Sequence, residues 1–224
     1  NPVNEKTEAH PGEEYGKTKL EGEKICRDYC DENLSVSIIR PRTIVGHGRL
    51  GIFSILFKWI SEGINIPVLN GGENLYQFVH AQDLADACIL ASKTQIGYTD
   101  YNIGSKDICT MKETLLNLCN YANTGSNVFS LPLMPVEIGI RLLSLLKLIP
   151  LGHYHALMYG RSLYFDISKA ELELNYSPKF NTEQMFREGY DYFVKEKRTN
   201  SANSSHHKSI IKESALKVIR LLNR

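Results

Sequence analysis

Residues 38–59 read IIRPRTIVGHGRLGIFSILFKW: a β-branched run up to Pro41, then three spaced glycines, then an amphipathic helical pattern. Gly46, Gly48 and Gly51 spell G-x-G-x-x-G, the turn that lets a pyrophosphate rest on a helix N-terminus. That fingerprint needs a strand running directly into its first glycine, and an acidic residue about 20 positions on that closes the next strand. Here Pro41 is expected to end the strand early, and the next strand, IPVL at 66–69, is followed by Asn70 and two glycines. The glycines are therefore read as a loop beyond the carboxyl end of a strand. Ligands of open α/β sheets sit at that edge.

Outward from this stretch, helices and strands alternate. A polar segment at 1–14 leads into the helical pattern YGKTKLEGEKICRDYCDEN and the strand LSVSIIRP. Beyond the glycine loop come a helix near 52–62, the strand IPVL, the turn NGGEN, the strand YQFVHA and the helix QDLADACILAS. The strand DYNIGS and the helix TMKETLLNLCNYAN follow. The alternation predicts a mainly parallel sheet covered by helices. After about residue 127 the texture changes to the apolar helix LPLMPVEIGIRLLSLLKLIPLG, then SLYFDISKAELELNY and a last amphipathic helix to about Lys195. No internal repeat is present.

At 224 residues, with 42% hydrophobic and 23% charged, the composition is that of an ordinary globular chain able to bury a large core. The net charge of +1 argues against a general nucleic-acid-binding surface. Residues 195–224 carry eight basic and two acidic side chains, so this tail is +6 and the rest of the chain −5. Five cysteines, Cys26, Cys30, Cys88, Cys109 and Cys119, form no C-x-x-C pair, and reduced thiols in a cytoplasmic protein are the expected state. No metal is assigned, since no histidine follows at metal-site spacing. The chain opens without Met, basic n-region or apolar h-region.

Tyr15 and Lys19 lie four apart on the first helix, so both project from one face and converge on one ligand. An ammonium favours the phenolate of a neighbouring tyrosine, which suits a phenol to acid–base work nearer neutrality. An exposed pair without function fits the bare spacing equally well. The surrounding EEYGKTKLEGEKICRDY resembles the active-site helix of the extended short-chain dehydrogenase/reductases, the NAD-dependent epimerase/dehydratase family. SVSIIRPRTIVGHGR, YQFVHAQDLADACILA, YNIGS and YFDISKAELELNYSPKF resemble further segments of that family in its own order, so the likeness spans roughly residues 1–195.

The resemblance implies the C-terminal portion of a doubly wound, Rossmann-like parallel sheet with a small mixed α/β substrate-binding part. The expected division is a partial NAD(P)-binding domain over 1–126, a substrate-binding part over 127–196, and a linker with a basic amphipathic tail helix over 197–224. By resemblance Tyr15 is the catalytic acid/base, and Lys19 holds the nicotinamide ribose. Pro41, Thr43, Ile44 and Val45 border the nicotinamide of NAD or NADP, and Arg49, Tyr76, Gln77 and His80 face the substrate. The family's Gly-rich turn and ribose-binding acid would lie upstream of Tyr15, which makes the chain the C-terminal part of a longer enzyme.

Many nucleotide-sugar members place Arg-Asp where Tyr76 and Gln77 stand, with the Arg on a diphosphate. That departure keeps open a rival, a hydroxysteroid-dehydrogenase-like oxidoreductase for a lipid-like alcohol, and a third reading, a truncated non-catalytic nucleotide-binding protein. His80 and Asp83 are read equally as helix-cap groups or substrate ligands. The expected partners are a small-molecule substrate, a second copy in a homodimer, and no nucleic acid. In SIIKESALKVIRLLNR, Ile211, Ala215, Val218 and Leu222 fall at helical spacing among basic residues. Weak contact with an anionic membrane surface, docking on a partner and packing on its own domain all fit that pattern.

Overall fold

The computed structural model describes residues 2–12, 14–30, 34–46, 48, 50–51, 53–94, 97–132 and 160–200. Arg49, nearly all of the apolar 132–149 segment and the tail helix therefore lie outside the described residues. In chain order the elements are α1 (Glu14–Asp28), β1 (Val36–Pro41), β2 (Thr43–Val45), α2 (Phe53–Ser61), β3 (Ile66–Leu69), β4 (Leu75–Tyr76), β5 (Phe78–His80), α3 (Ala81–Ala91), β6 (Tyr98–Ile103), β7 (Cys109–Thr110), α4 (Met111–Ala122), β8 (Val128–Leu131), α5 (Ser168–Leu174) and α6 (Thr182–Asn200). They form two compact units that interleave along the chain: Asn1–Val45, Tyr76–Ile108 and Leu163–Met185 make one, and Gly46–Leu75, Cys109–Ser162 and Phe186–Arg224 the other.

In the first unit β1 runs parallel to β6, from Val36 opposite Tyr98 to Pro41 opposite Ile103, and β2 runs parallel to β5. Such parallel pairs, joined through helices, are the α/β arrangement the alternation predicts. The core is the buried face of β5, β6, α3 and α5: Val79, Ala87, Ala91, Tyr101, Ile103, Ile167, Ala170, Leu174 and Tyr176. Polar ties fix its edges. The Tyr101 hydroxyl donates to Glu173 Oε2 at 3.0 Å, and the Tyr176 hydroxyl donates to the Gly104 carbonyl at 3.1 Å. Burial pushes the Tyr176 phenol strongly upward. The N-terminal polar segment is strapped to this unit. Val3 bridges Phe165, and Asn102 donates its backbone N–H to Glu5 Oε1 at 2.8 Å.

One sequence expectation is met in part and another changes. First, β1 ends at Pro41 as expected, but after a single residue, Arg42, whose N–H donates to the Ile103 carbonyl at 2.8 Å, a new strand, β2, pairs with β5 and runs to the edge of Gly46. Pro41 is tolerated because the ladder to β6 takes the N–H groups of Val36 and Arg42, two residues in the same phase, and so needs none from Pro41. The strand before the glycines, β2, pairs with β5, and the strand after α2, β3, pairs with β8. Second, the expected strand 76–81 is broken at Gln77 into β4 and β5, where the Gln77 side chain binds two other backbone segments.

In the second unit β3 and β8 pair in parallel, with Ile66 opposite Val128. Thr124 and Ser126 donate their hydroxyls to the carbonyls of Ile60 and Ile64, tying the end of α2 to the segment before β8. An aromatic cluster holds α2 to α6: the Phe57 ring lies 6.4 Å from Phe186 and 6.0 Å from Tyr190, both edge-on. Gly48, at φ +73°, faces the Tyr192 ring so closely that a Cβ would lie 2.9 Å from it. The close approach that glycine permits is thus to the chain's own side chain. Helix α6 continues to Asn200, past the expected end near Lys195.

Candidate functional site

Helix α1 carries Tyr15 and Lys19 and buries no residue. Its attachment to the sheet comes from polar contacts. Arg40, the penultimate residue of β1, donates from Nε and Nη2 to both Glu23 oxygens at 2.9 and 2.6 Å, and Nη1 meets Asp100 Oδ2 at 2.8 Å. At the other end of the helix Arg27 donates to the hydroxyl of Tyr98, the first residue of β6, with its guanidinium 4.5 Å from that ring's centroid. Glu23 thus meets the carboxyl end of β1, and Arg27 the amino end of its neighbour. The helix therefore runs antiparallel to the strands, and Tyr15, about two turns before Glu23, lies toward their carboxyl ends. That is where open α/β sheets take ligands.

The i,i+4 spacing brings the pair together, with Lys19 Nζ 5.5 Å from the Tyr15 ring centroid. Tyr15 is 74% exposed. Gly16 lets the preceding loop approach, since a Cβ there would lie 2.8 Å from Pro11 Cβ.

The residues expected to border the cofactor run from Pro41, the last of β1, through β2. Pro41 is exposed and Thr43 and Ile44 half-buried, while the Val45 side chain is in the core, so Val45 can offer only its backbone to a ligand. The hydroxyls of Thr43 and Tyr76 lie 3.1 Å apart, joining one residue from each of the expected cofactor and substrate sets. Gln77 is 1% exposed, and both ends of its amide are used: Nε2 donates to the Ser105 carbonyl at 2.7 Å, and Oε1 accepts from Phe165 N at 2.9 Å. His80 caps α3, its Nδ1 accepting from Gln82 N at 3.1 Å while its ring stacks 3.7 Å from that of Phe180. Asp83 is buried and accepts from Lys179 N and Phe180 N at 3.0 and 3.2 Å. Among the described residues no group of three or more His, Cys, Asp or Glu side chains is placed to hold a metal, and no helix is long and apolar enough to cross a membrane.

Sequence reading passed over Arg42, which sits between Pro41 and Thr43 with its guanidinium against the Tyr76 ring. The one available signal was a second arginine two positions beyond Arg40 in an otherwise apolar extended run.

Comparison with known proteins agrees with this architecture. Residues 1–104 match the NAD dependent epimerase/dehydratase family. A curated relative, the uncharacterized protein y4nG of Sinorhizobium fredii, is 46% identical over 221 residues, covering 98% of this chain and 56% of its own length. The chain thus spans about half the length of that relative. Among solved structures, UDP-glucuronic acid 4-epimerase from Bacillus cereus in complex with NAD aligns with a TM-score of 0.66 at 22% identity, over 87% of this chain and 56% of that one. RMD from Pseudomonas aeruginosa complexed with NADPH aligns with a TM-score of 0.65 at 15% identity, over 86% and 60%. The family match over residues 1–104 and the likeness to these structures over most of the chain agree on a Rossmann-like α/β fold.

Proposed function

We propose that this chain is the substrate-side and acid–base portion of a longer NAD(P)-dependent epimerase/dehydratase-type enzyme acting on a nucleotide-sugar-like substrate. The observation that carries the reading is the Tyr15–Lys19 pair, held by α1 toward the carboxyl ends of β1 and β6 with Lys19 Nζ 5.5 Å from the phenol ring. NAD or NADP, when bound, supplies the acceptance and return of a hydride. Tyr15 takes a proton from, and gives it back to, the reacting substrate hydroxyl, and Lys19 holds the phenol and the nicotinamide ribose. Pro41, Thr43, Ile44 and Val45 border the nicotinamide. Tyr76 lines the substrate side, joined to Thr43 through their hydroxyls.

The substrate class draws support from the solved neighbours, which include a UDP-glucuronic acid 4-epimerase and a protein in complex with UDP-glucose and NAD. A lipid-like alcohol fits less well, because a buried guanidinium lies against Tyr76. Full-length protein, supplied with NAD and a panel of UDP-sugars, is expected to convert at least one of them, detected by chromatography and proton NMR. Absence of turnover across the panel, with turnover of a hydroxysteroid instead, would replace this substrate class by the rival one.

A further inference from the structure

Arg42 is 9% exposed, and its guanidinium lies between two rings, with Cζ 4.8 Å from the Tyr76 centroid and 5.1 Å from the Phe165 centroid. Nε and Nη2 are both buried and meet no hydrogen-bond acceptor among the described residues. A guanidinium keeps its charge at every pH at which a protein folds, so this charge cannot be removed by losing a proton. The ring faces attract the cation but do not accept its N–H bonds in the plane of the group.

These two nitrogens form one side of the guanidinium fork. Arg40 grips both oxygens of Glu23 through the same pair, at 2.9 and 2.6 Å. The two unmatched donors of Arg42 therefore have the geometry for two oxygens of a single oxyanion. The ring against the guanidinium carries a hydroxyl, Tyr76 Oη, paired with that of Thr43. Thr43 Oγ1 and Tyr76 Oη share one hydrogen bond, so one of the two keeps a hydroxyl hydrogen for a further acceptor. Thr43, Tyr76 and Phe165 are only half-buried.

We propose that Arg42, with the hydroxyls of Thr43 and Tyr76, forms an oxyanion-binding subsite that takes a phosphoryl or carboxylate group of a small-molecule ligand. The subsite stands on these residues; only its assignment to the substrate rests on the nucleotide-sugar reading above. Binding is measured by calorimetry on the full-length protein with inorganic pyrophosphate, UDP and glucuronate in separate titrations at fixed ionic strength. Wild type is expected to bind pyrophosphate or glucuronate saturably, and the one that binds names the oxyanion. Arg42→Gln is expected to weaken that binding by about tenfold or more. Arg42→Lys should recover part of it, as a point charge without the fork.

Tyr76→Phe keeps the ring and removes the hydroxyl, so it provides a weakened, folded variant should Arg42→Gln fail to fold. Binding of both anions to wild type and Arg42→Gln with equal affinity, or binding of neither to wild type, overturns the subsite. Loss of UDP-sugar turnover with Arg42-dependent anion binding intact would remove the proposed reaction and leave the subsite standing.

Discussion

The Arg40 network is where disturbing one side chain should release the proposed acid–base helix. Arg40→Met removes two bonds to Glu23 and one to Asp100, and leaves Glu23, 21% exposed, without its cation, while Asp100, 15% exposed, keeps only Lys169 at 3.4 Å. Charge-assisted bonds contribute about 1.5–3 kcal/mol each when buried. Here the groups are about a fifth exposed, and desolvation of the ions offsets part of the gain, so the expected loss is about 2–3 kcal/mol. Glu23→Gln keeps one neutral hydrogen bond and leaves Asp100 to balance Arg40, for about 1–2 kcal/mol. The coupling between the two substitutions is expected at about 1–2 kcal/mol in a double-mutant cycle followed by urea unfolding. Because α1 buries no side chain, the loss should be local, with α1 amides exchanging faster while β5 amides stay protected. An Arg40→Met cost under about 0.5 kcal/mol, the value of an exposed pair, would refute the claim that this network holds the helix.

Other perturbations test the frame. Gly104→Ala places a Cβ 2.6 Å from both polar atoms of the buried Gln77 amide, so it is expected to cost about 1–3 kcal/mol in thermal or urea unfolding. Asp166 is held below the usual carboxylate range because Ser168 donates to it twice. Its contribution is therefore complete above about pH 4 and is lost as pH falls through the depressed folded value, so the deficit of Asp166→Asn should be present at neutral pH and vanish in acid unfolding. Deleting residues 201–224 from the full-length protein is expected to leave turnover unchanged and to lower co-sedimentation with anionic liposomes at low salt; a lower Tm without any liposome binding would make the tail packed structure.

Much of the frame was legible from short-range signals. The change of period from strand to helix located α1, β1, β3, α3, β6 and α4, and Thr110 in TMKETLL is the cap its type suggests, its hydroxyl accepting from Glu113 N at 3.1 Å. The Tyr15–Lys19 juxtaposition follows from helix geometry alone. What was not legible depends on partners far away in sequence. Nothing local shows that Arg42 keeps the chain extended after Pro41, that Gln77 ties Ser105 to Phe165, or that Val3 bridges Phe165. The Arg40–Glu23–Asp100 cluster was missed for the same reason, since 17 residues separate Arg40 from Glu23.

The most direct test of the central claim compares Tyr15→Phe with wild type in the full-length protein, measuring kcat on a converted UDP-sugar and NAD affinity by calorimetry. The substitution removes one exposed hydroxyl and little else, so kcat is expected to fall by about 10²–10⁴-fold with NAD affinity unchanged. A Tyr15→Phe enzyme with near-normal kcat would contradict the assignment of proton transfer to this residue.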